Sequence, residues 1–552
     1  NQEAAIRGLT GFRRQSVRVN ADQQLGDRWT VTANTFYSRS WADGANQSGT
    51  EFGDGGGNAT GFFAVTRTPA NVNILANDNL GRLYVRPNLA NQAQQNGNPL
   101  YSFLTSRQTD ESDRFIGATT VRFQAATWLD LDANFNADRS NSLSSFIRDR
   151  GTRNTVFSQA VTDGFGSRGT FLAQSYNTGA GAVLKRDIRD LSARLSLRTL
   201  YEQQDNQGTS GSGTTIAVPG LNDLNATTAN FAVGSSKTSV RQISYFSGLN
   251  LDFMGRYILD AGIRRDGTSL LGADNRWQNL GNARFAWRAS EEPFLRNLPG
   301  INDLKFRVAW GQTANRPNFS AQYETFAFGT GGVLLPQTLG NRNLRPEVVT
   351  ETEVGFDAEL KRNIGLNVTY AYSTADGQLD AVRAPASSGF VTQWRNIGLV
   401  TNRTIEASLN VPWVQGRALN WSTRFNYDRN RAILTRLDVP TFDRGPNFQG
   451  IGAAGEPGMF RFEEGIRLGT MFGRDFVRSC SQLPASFAAQ CGGSGSQFQQ
   501  NQQGYIVWTG GFSPTEGIER NLWNTSLPIQ QAPWFTPDGG GRALGWGLPI
   551  LL

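Results

Sequence analysis

At 552 residues the chain is long enough for several domains, yet no Pro/Ser-rich hinge or charged tail divides it. Its hydrophobic content is 38%, and no apolar run approaches the roughly 18–20 residues of a membrane helix, which leaves barrel strands of about 9–11 half-polar residues open. The formal charge of +7 is carried by single, scattered arginines, with lysine only at Lys185, Lys237, Lys305 and Lys361, so no nucleic-acid partner is expected.

Residues 1–15 read as irregular, and the absence of a signal peptide points to a mature or trimmed chain. Val17, Val19 and Ala21 then alternate with Arg18, Asn20 and Asp22, and a tight turn at Gly26-Asp27 leads to Trp29, Val31, Ala33, Thr35 and Tyr37. Side chains two apart share a face, so each run is a strand with one apolar and one polar face. A Gly/Asn/Gln-rich loop is expected over 39–113. Phe115–Phe123 follows, and then the clearest strand of all: Leu129, Leu131, Ala133 and Phe135 against Asp130, Asp132 and Asn134. So many polar groups on one face need water. The first side chains are predicted to face lipid and the second a wet lumen.

The rhythm continues through a long segment (139–168), a glycine-rich strand at 170–184 and a strand with Leu191, Leu195 and Leu197 on one face. A loop is expected over 203–241, before Tyr245–Phe253. A turn at Met254-Gly255 leads into the strand starting at Tyr257, and Ala283–Trp287 and Leu304–Trp310 supply two more. A long loop (312–348) precedes strands at 349–359 and 366–373, joined by a short turn at Arg362-Asn363. After a loop at 374–402, strands at 405–411 and 419–427 close the regular pattern; beyond about 429 it is weak. Fourteen strands are clear, with one or two more expected after 465.

Short and long connections alternate. An up-and-down membrane barrel has this asymmetry, with short periplasmic turns and long extracellular loops, whereas a soluble sandwich has no reason for it. The fold predicted is an all-β, antiparallel transmembrane β-barrel in the bacterial outer membrane, with lipid as its surroundings. The loops at 39–113, 203–241, 312–348 and 374–402 are expected outside.

Several blocks carry a family resemblance. Arg264-Arg265-Asp266-Gly267-Thr268-Ser269, Asn275-Arg276-Trp277 and Ser290-Glu291-Glu292-Pro293-Phe294 resemble, in order, the barrel of SusC/RagA-type TonB-dependent transporters. So do Asp303–Arg307 with Gly311–Asn315, Asn343-Leu344-Arg345-Pro346-Glu347 with Glu353–Asp357, and Asn396-Ile397-Gly398 with Asn402 and Glu406. The resemblance covers roughly 240–410. It implies a barrel of about 22 strands, of which 14–16 are expected here, filled by a plug that a TonB energy-coupling complex pulls, and closed by a SusD-like lipoprotein over oligosaccharides or peptides. Residues 1–552 then form one part of the barrel. Nothing here resembles the plug or a TonB box, and Leu551-Leu552 lacks the usual final strand ending in an aromatic residue, so all three are expected to be absent. The alternative function is a non-transporting surface scaffold or adhesin.

No enzyme is expected. The chain lacks histidine, which removes Ser-His-Asp, Cys-His and His-based metal chemistry, and no catalytic, cofactor or metal residue is assigned. The runs Gly53–Gly57 and Gly208–Gly213 lack the GK[ST] ending of a phosphate loop and read as flexible loops. Asp130, Asp132 and Asp138 read as a solvated face. The pair Trp394-Arg395 suits sugar stacking but reads first as loop filler, so substrate-binding residues stay unassigned. Cys480 and Cys491, the only cysteines, are expected to form a disulfide, because an isolated pair beyond the inner membrane meets oxidising conditions.

Overall fold

The computed structural model of the protein describes residues 2–3, 11–43, 72–85, 98–153, 161–221, 223–295, 299–447 and 458–470. Shorter pieces follow at 475–476, 478–482, 491, 498–500, 504–508, 520–521 and 523–524. Strands dominate. The first eight are β1 (Gln2–Glu3), β2 (Gly11–Leu25), β3 (Trp29–Asp43), β4 (Ser106–Ala126), β5 (Leu129–Arg148), β6 (Phe165–Ile188), β7 (Leu191–Ile216) and β8 (Thr227–Phe253). A short helix, α1 (Pro99–Thr105), leads directly into β4. Then come β9 (Tyr257–Thr268), β10 (Trp277–Arg288), β11 (Ile301–Asn315), β12 (Thr325–Phe328), β13 (Leu334–Leu339), β14 (Glu347–Leu360) and β15 (Ile364–Asp376). The last are β16 (Leu379–Arg383), β17 (Thr392–Asn396), β18 (Gly398–Gln415), β19 (Asn420–Leu437), β20 (Phe442–Asn447) and β21 (Gly458–Phe462).

Fifteen of these strands hydrogen-bond in one sheet, β1 to β11 followed by β14, β15, β18 and β19, while β12, β13, β17 and β16 make a separate small sheet. The fourteen long strands of the large sheet are those that alternation predicts. Two turns show why the chain reverses where it does. Met254 and Gly255 have φ of 59° and 68°, and Arg362 and Asn363 have 66° and 57°. Tight hairpins whose twist matches their strands need this pair of left-handed residues.

Contacts divide the chain into two compact units. The first is 1–187 with 193–248 and 264–270; the second is 188–192 with 249–263 and 271–552. In the first, registers align the apolar side chains in rows across β3, β4 and β5. Trp29 lies opposite Phe123 and Leu131, Val31 opposite Val121 and Ala133, and Ala33 opposite Thr119 and Phe135. Thr35, Gly117 and Ala137 follow, then Tyr37, Phe115 and Arg139. Burial is inverted relative to a soluble protein: Phe135 is 52% exposed and Leu131 37%, whereas Asp130, Asp132 and Asn134 are half-buried. In the second unit the same apolar face runs through Phe285, Val308, Val354, Tyr370 and Ile405.

Some expectations need correction. The supposed loop at 203–241 is mostly strand, since β7 runs to Ile216 and β8 starts at Thr227. Gly208–Gly213 therefore lies within β7 and is not a flexible loop. Past the apolar band both faces are Gln, Ser, Thr and Gly, so hydrophobic alternation vanishes while backbone pairing goes on. Likewise β5 extends to Arg148, β6 begins at Phe165, and β3 and β4 reach into the 39–113 segment. Residues 11–15 belong to β2 and are not irregular. After 465 the described strands have only two or three residues. Gly53–Gly57 and Leu551-Leu552 lie outside the described residues.

Candidate functional site

The polar face of the first unit is an ion-paired lattice. Lys185 of β6 pairs with Asp130. Arg198 of β7 reaches Asp132 at 3.1 Å and also donates to Asn134. Arg114 of β4 grips both oxygens of Asp138, at 3.0 and 2.6 Å. The aspartates of β5 therefore sit among basic partners, which fits a solvated wall.

Arg198 must cross β6 to reach β5, and glycine makes that possible. A Cβ at Gly181 would stand 2.5 Å from Asp132 Oδ1, and one at Gly179 would stand 3.0 Å from Asn134 Oδ1. The second unit repeats the device. Arg307 of β11 passes over Gly355 of β14, where a Cβ would lie 3.2 Å from the guanidinium, and donates to Thr369 Oγ1 of β15 at 2.6 Å. Asp357 pairs with Lys305 at 2.9 Å and lies 3.6 Å from Arg307. Beside these, Asp260, Arg284, Lys305, Arg307 and Glu353 line a cavity of about 270 Å³. Such a surface offers donors and acceptors of both signs and is suited to a polar solute. Among the described residues no group of three or more His, Cys, Asp or Glu side chains is placed to hold a metal.

The connections flanking β14 and β15 are ordered. Their small sheet rests on a cluster of Leu271, Ala321 and Leu344, against which Leu379 and Trp394 pack. The reading of Trp394-Arg395 as loop filler is corrected: both lie in β17, where Trp394 packs against this cluster and Arg395 points to the other face. Motif residues also have structural work here. The Asn396 amide donates to the carbonyls of Arg345 and Gly377, both at 2.8 Å, and its oxygen accepts from Arg345 N–H at 3.0 Å. Ile397 is buried, and a Cβ on Gly398 would stand 2.0 Å from Arg436 O.

At the opposite, short-turn end, Glu292 is buried in the turn after β10. It accepts from Tyr257 Oη at 2.6 Å and Trp287 Nε1 at 3.3 Å, and it lies 3.4 Å from Arg256. These donors, Tyr257 first, hold its carboxyl below the usual range. The motif Ser290-Glu291-Glu292 is thereby explained as a clamp joining β9 to β10. Cys480 and Cys491 stand with Cα atoms 5.5 Å apart and their sulfurs joined, a separation that suits a disulfide.

Similarity to known proteins accounts for this architecture. A family model described as "TonB dependent receptor-like, beta-barrel" matches residues 67–508. The chain belongs to the TonB-dependent receptor β-barrel family. Within it, the chain is of the SusC/RagA type and an outer-membrane protein. It is 28% identical over 210 residues to TonB-dependent receptor SusC of Bacteroides thetaiotaomicron, covering 35% of this chain and 21% of that one. It is 24% identical over 490 residues to TonB-dependent receptor P3 of Formosa agariphila, covering 85% of this chain and 46% of the relative. A solved structure of the RagAB peptide transporter superposes with a TM-score of 0.69 at 18% identity, covering 93% of this chain and 54% of the other. The receptor chain thus spans about half the length of that structure, and less of the curated relatives. In the barrel the exposed apolar face is the lipid-facing one, and the ion-paired face is interior.

Proposed function

We propose that the chain is the barrel wall of an energised importer for oligosaccharides or peptides, working with a plug, a TonB energy-coupling complex and a SusD-like lipoprotein lid. The observation that carries this reading is the interior face: mixed charge held by cross-strand pairs around the cavity at Asp260, Arg284 and Arg307. The ordered sheet over the long connections supports the same reading, because a lid needs a firm rim. The long connections are extracellular in this proposal and the turns at 26–28, 254–256 and 361–363 periplasmic, following the asymmetry of outer-membrane barrels.

Two measurements test it. In a background without native cysteines, Leu221→Cys should react with an impermeant maleimide on intact cells, while Asp27→Cys should react only after lysis. The reverse pattern would invert the topology. Purification of the natural receptor from its own outer membrane should bring down a lipoprotein in about equal amount, and deleting the gene should abolish growth on one class of peptide or glycan. A lone receptor with unimpaired growth on all of them would favour the scaffold.

A further inference from the structure

The lipid-facing surface carries a cluster that the import reading leaves unused. Arg403 of β18 lies directly opposite Arg431 of β19, and Arg429 precedes Arg431 by two positions, opposite Ile405. All three are exposed. Like charges directly opposite on neighbouring strands repel, so this arrangement calls for a counter-charge. Among the described residues none of the three has an ion-pair or hydrogen-bond partner. The nearest acids in sequence, Glu406 and Asp428, lie opposite each other on the interior face and point away. By contrast Arg436, five residues further along β19, is paired with both Asp376 and Asp438. A further guanidinium lies beside the cluster: Arg467, bridged to Ile433, donates to Asn430 O at 3.3 Å.

Position identifies the counter-charge. Arg403 lies opposite Tyr372, whose other partner Thr352 lies opposite Trp310, so the arginines continue a row that contains two large aromatics. Below that row the same face of β19 is Tyr427, Phe425, Thr423 and Trp421. Ten residues separate Trp421 from Arg431, about 34 Å along a strand, which brings the guanidiniums to the outer margin of an apolar band about 25 Å tall once strand tilt is included. Groups there meet lipid headgroups. Guanidinium, with its planar fork, is the side chain that binds phosphate in two-point fashion.

We propose that Arg403, Arg429 and Arg431 form a site for the phosphate of an outer-leaflet lipid headgroup. The site lies on the outside of the barrel, away from the interior face that would meet solute, and would hold an annular lipid in place.

The test uses the full chain in detergent, titrated with dimyristoyl phosphatidic acid, dimyristoyl phosphatidylcholine or inorganic phosphate, with adducts counted by native mass spectrometry. Wild type should retain the first phosphatidic acid at least about tenfold more tightly than phosphatidylcholine. The double variant Arg403→Gln/Arg431→Gln should lose that preference, while Arg436→Gln/Arg444→Gln, a charge-matched change at two paired arginines, keeps it. Heat-modifiable migration shows that each variant is folded. Equal preference in wild type and the double variant would overturn the proposal. So would loss of preference in Arg436→Gln/Arg444→Gln, which would reduce the effect to net charge. Binding of inorganic phosphate as tight as that of the lipid, or an arginine-dependent dimer in place of lipid adducts, would also overturn it.

Discussion

Replacing Phe135 by arginine should destabilise the barrel far more than the same change at Leu131, although both are apolar residues of one strand face. Eight residues separate Trp29 from Tyr37, about 27 Å along the strand and about 21 Å in height at a 40° tilt. Leu131 lies level with Trp29 at the short-turn margin, whereas Phe135 lies in the middle row with Ala33 and Thr119. A midplane arginine facing lipid costs about 2–4 kcal/mol, falling to about 0–1 near the interface. Phe135 also stacks on Tyr176 with centroids 6.5 Å apart, and losing an aromatic pair adds about 0.5–1.5 kcal/mol. Phe135→Arg should therefore lose about 3–5 kcal/mol, Leu131→Arg about 1, and the interior-facing Asn136→Arg under about 1. Urea unfolding of protein folded into phosphatidylcholine vesicles, followed by tryptophan fluorescence, measures all three. If Leu131→Arg or Asn136→Arg costs as much as Phe135→Arg, the assignment of depth and face is wrong.

Three further outcomes are expected. Gly181→Val should cost about 1–3 kcal/mol by overpacking against Asp132, whereas Gly248→Ala, with open space around its Cβ, should cost under about 1 kcal/mol in the same assay. Glu292 is held below its ordinary pKa by Tyr257, Trp287 and Arg256, so its contribution is complete above the unfolded-state pKa of about 4.3 and is lost as pH falls through the folded value. Wild-type stability should thus decline with acid more steeply than that of Glu292→Gln, and parallel curves would contradict this. Titration of the denatured, unreduced protein should find no free thiol, and Cys480→Ser/Cys491→Ser should lower the stability of that segment by about 2–3 kcal/mol.

The sequence made the strands legible only where one face was apolar. Leu129–Phe135 announced itself because each aspartate or asparagine stands between hydrocarbon side chains, and the inverted burial follows from the same alternation. Where β7 passes beyond the lipid at Gln203–Gly213, both faces are polar, and nothing in the residue pattern separates a paired strand from a loop. Trp394 was missed for a related reason: in a five-residue strand inside a long connection it reads as loop filler, and only its packing on Leu344 and Leu271 reveals a structural role. Arg403, Arg429 and Arg431 were invisible as a group, because only strand register brings residues of two strands together. The family blocks had chemical meaning that composition could not supply, as Asn396 and Glu292 show by satisfying backbone and side-chain donors at opposite ends of the strands.

The glycines that let arginine pass from one strand to the next but one have a mechanical consequence. Backbone ladders join only neighbours, and a slip of two residues in one ladder keeps every side chain on its proper face. Arg198 ties β7 to β5 across Gly179 and Gly181, and Arg307 ties β11 to β15 across Gly355. Sliding any one ladder within those triplets therefore also breaks a diagonal strut anchored on a third strand. The wall is cross-braced against shear, as a wall must be if force is to be applied to whatever it encloses.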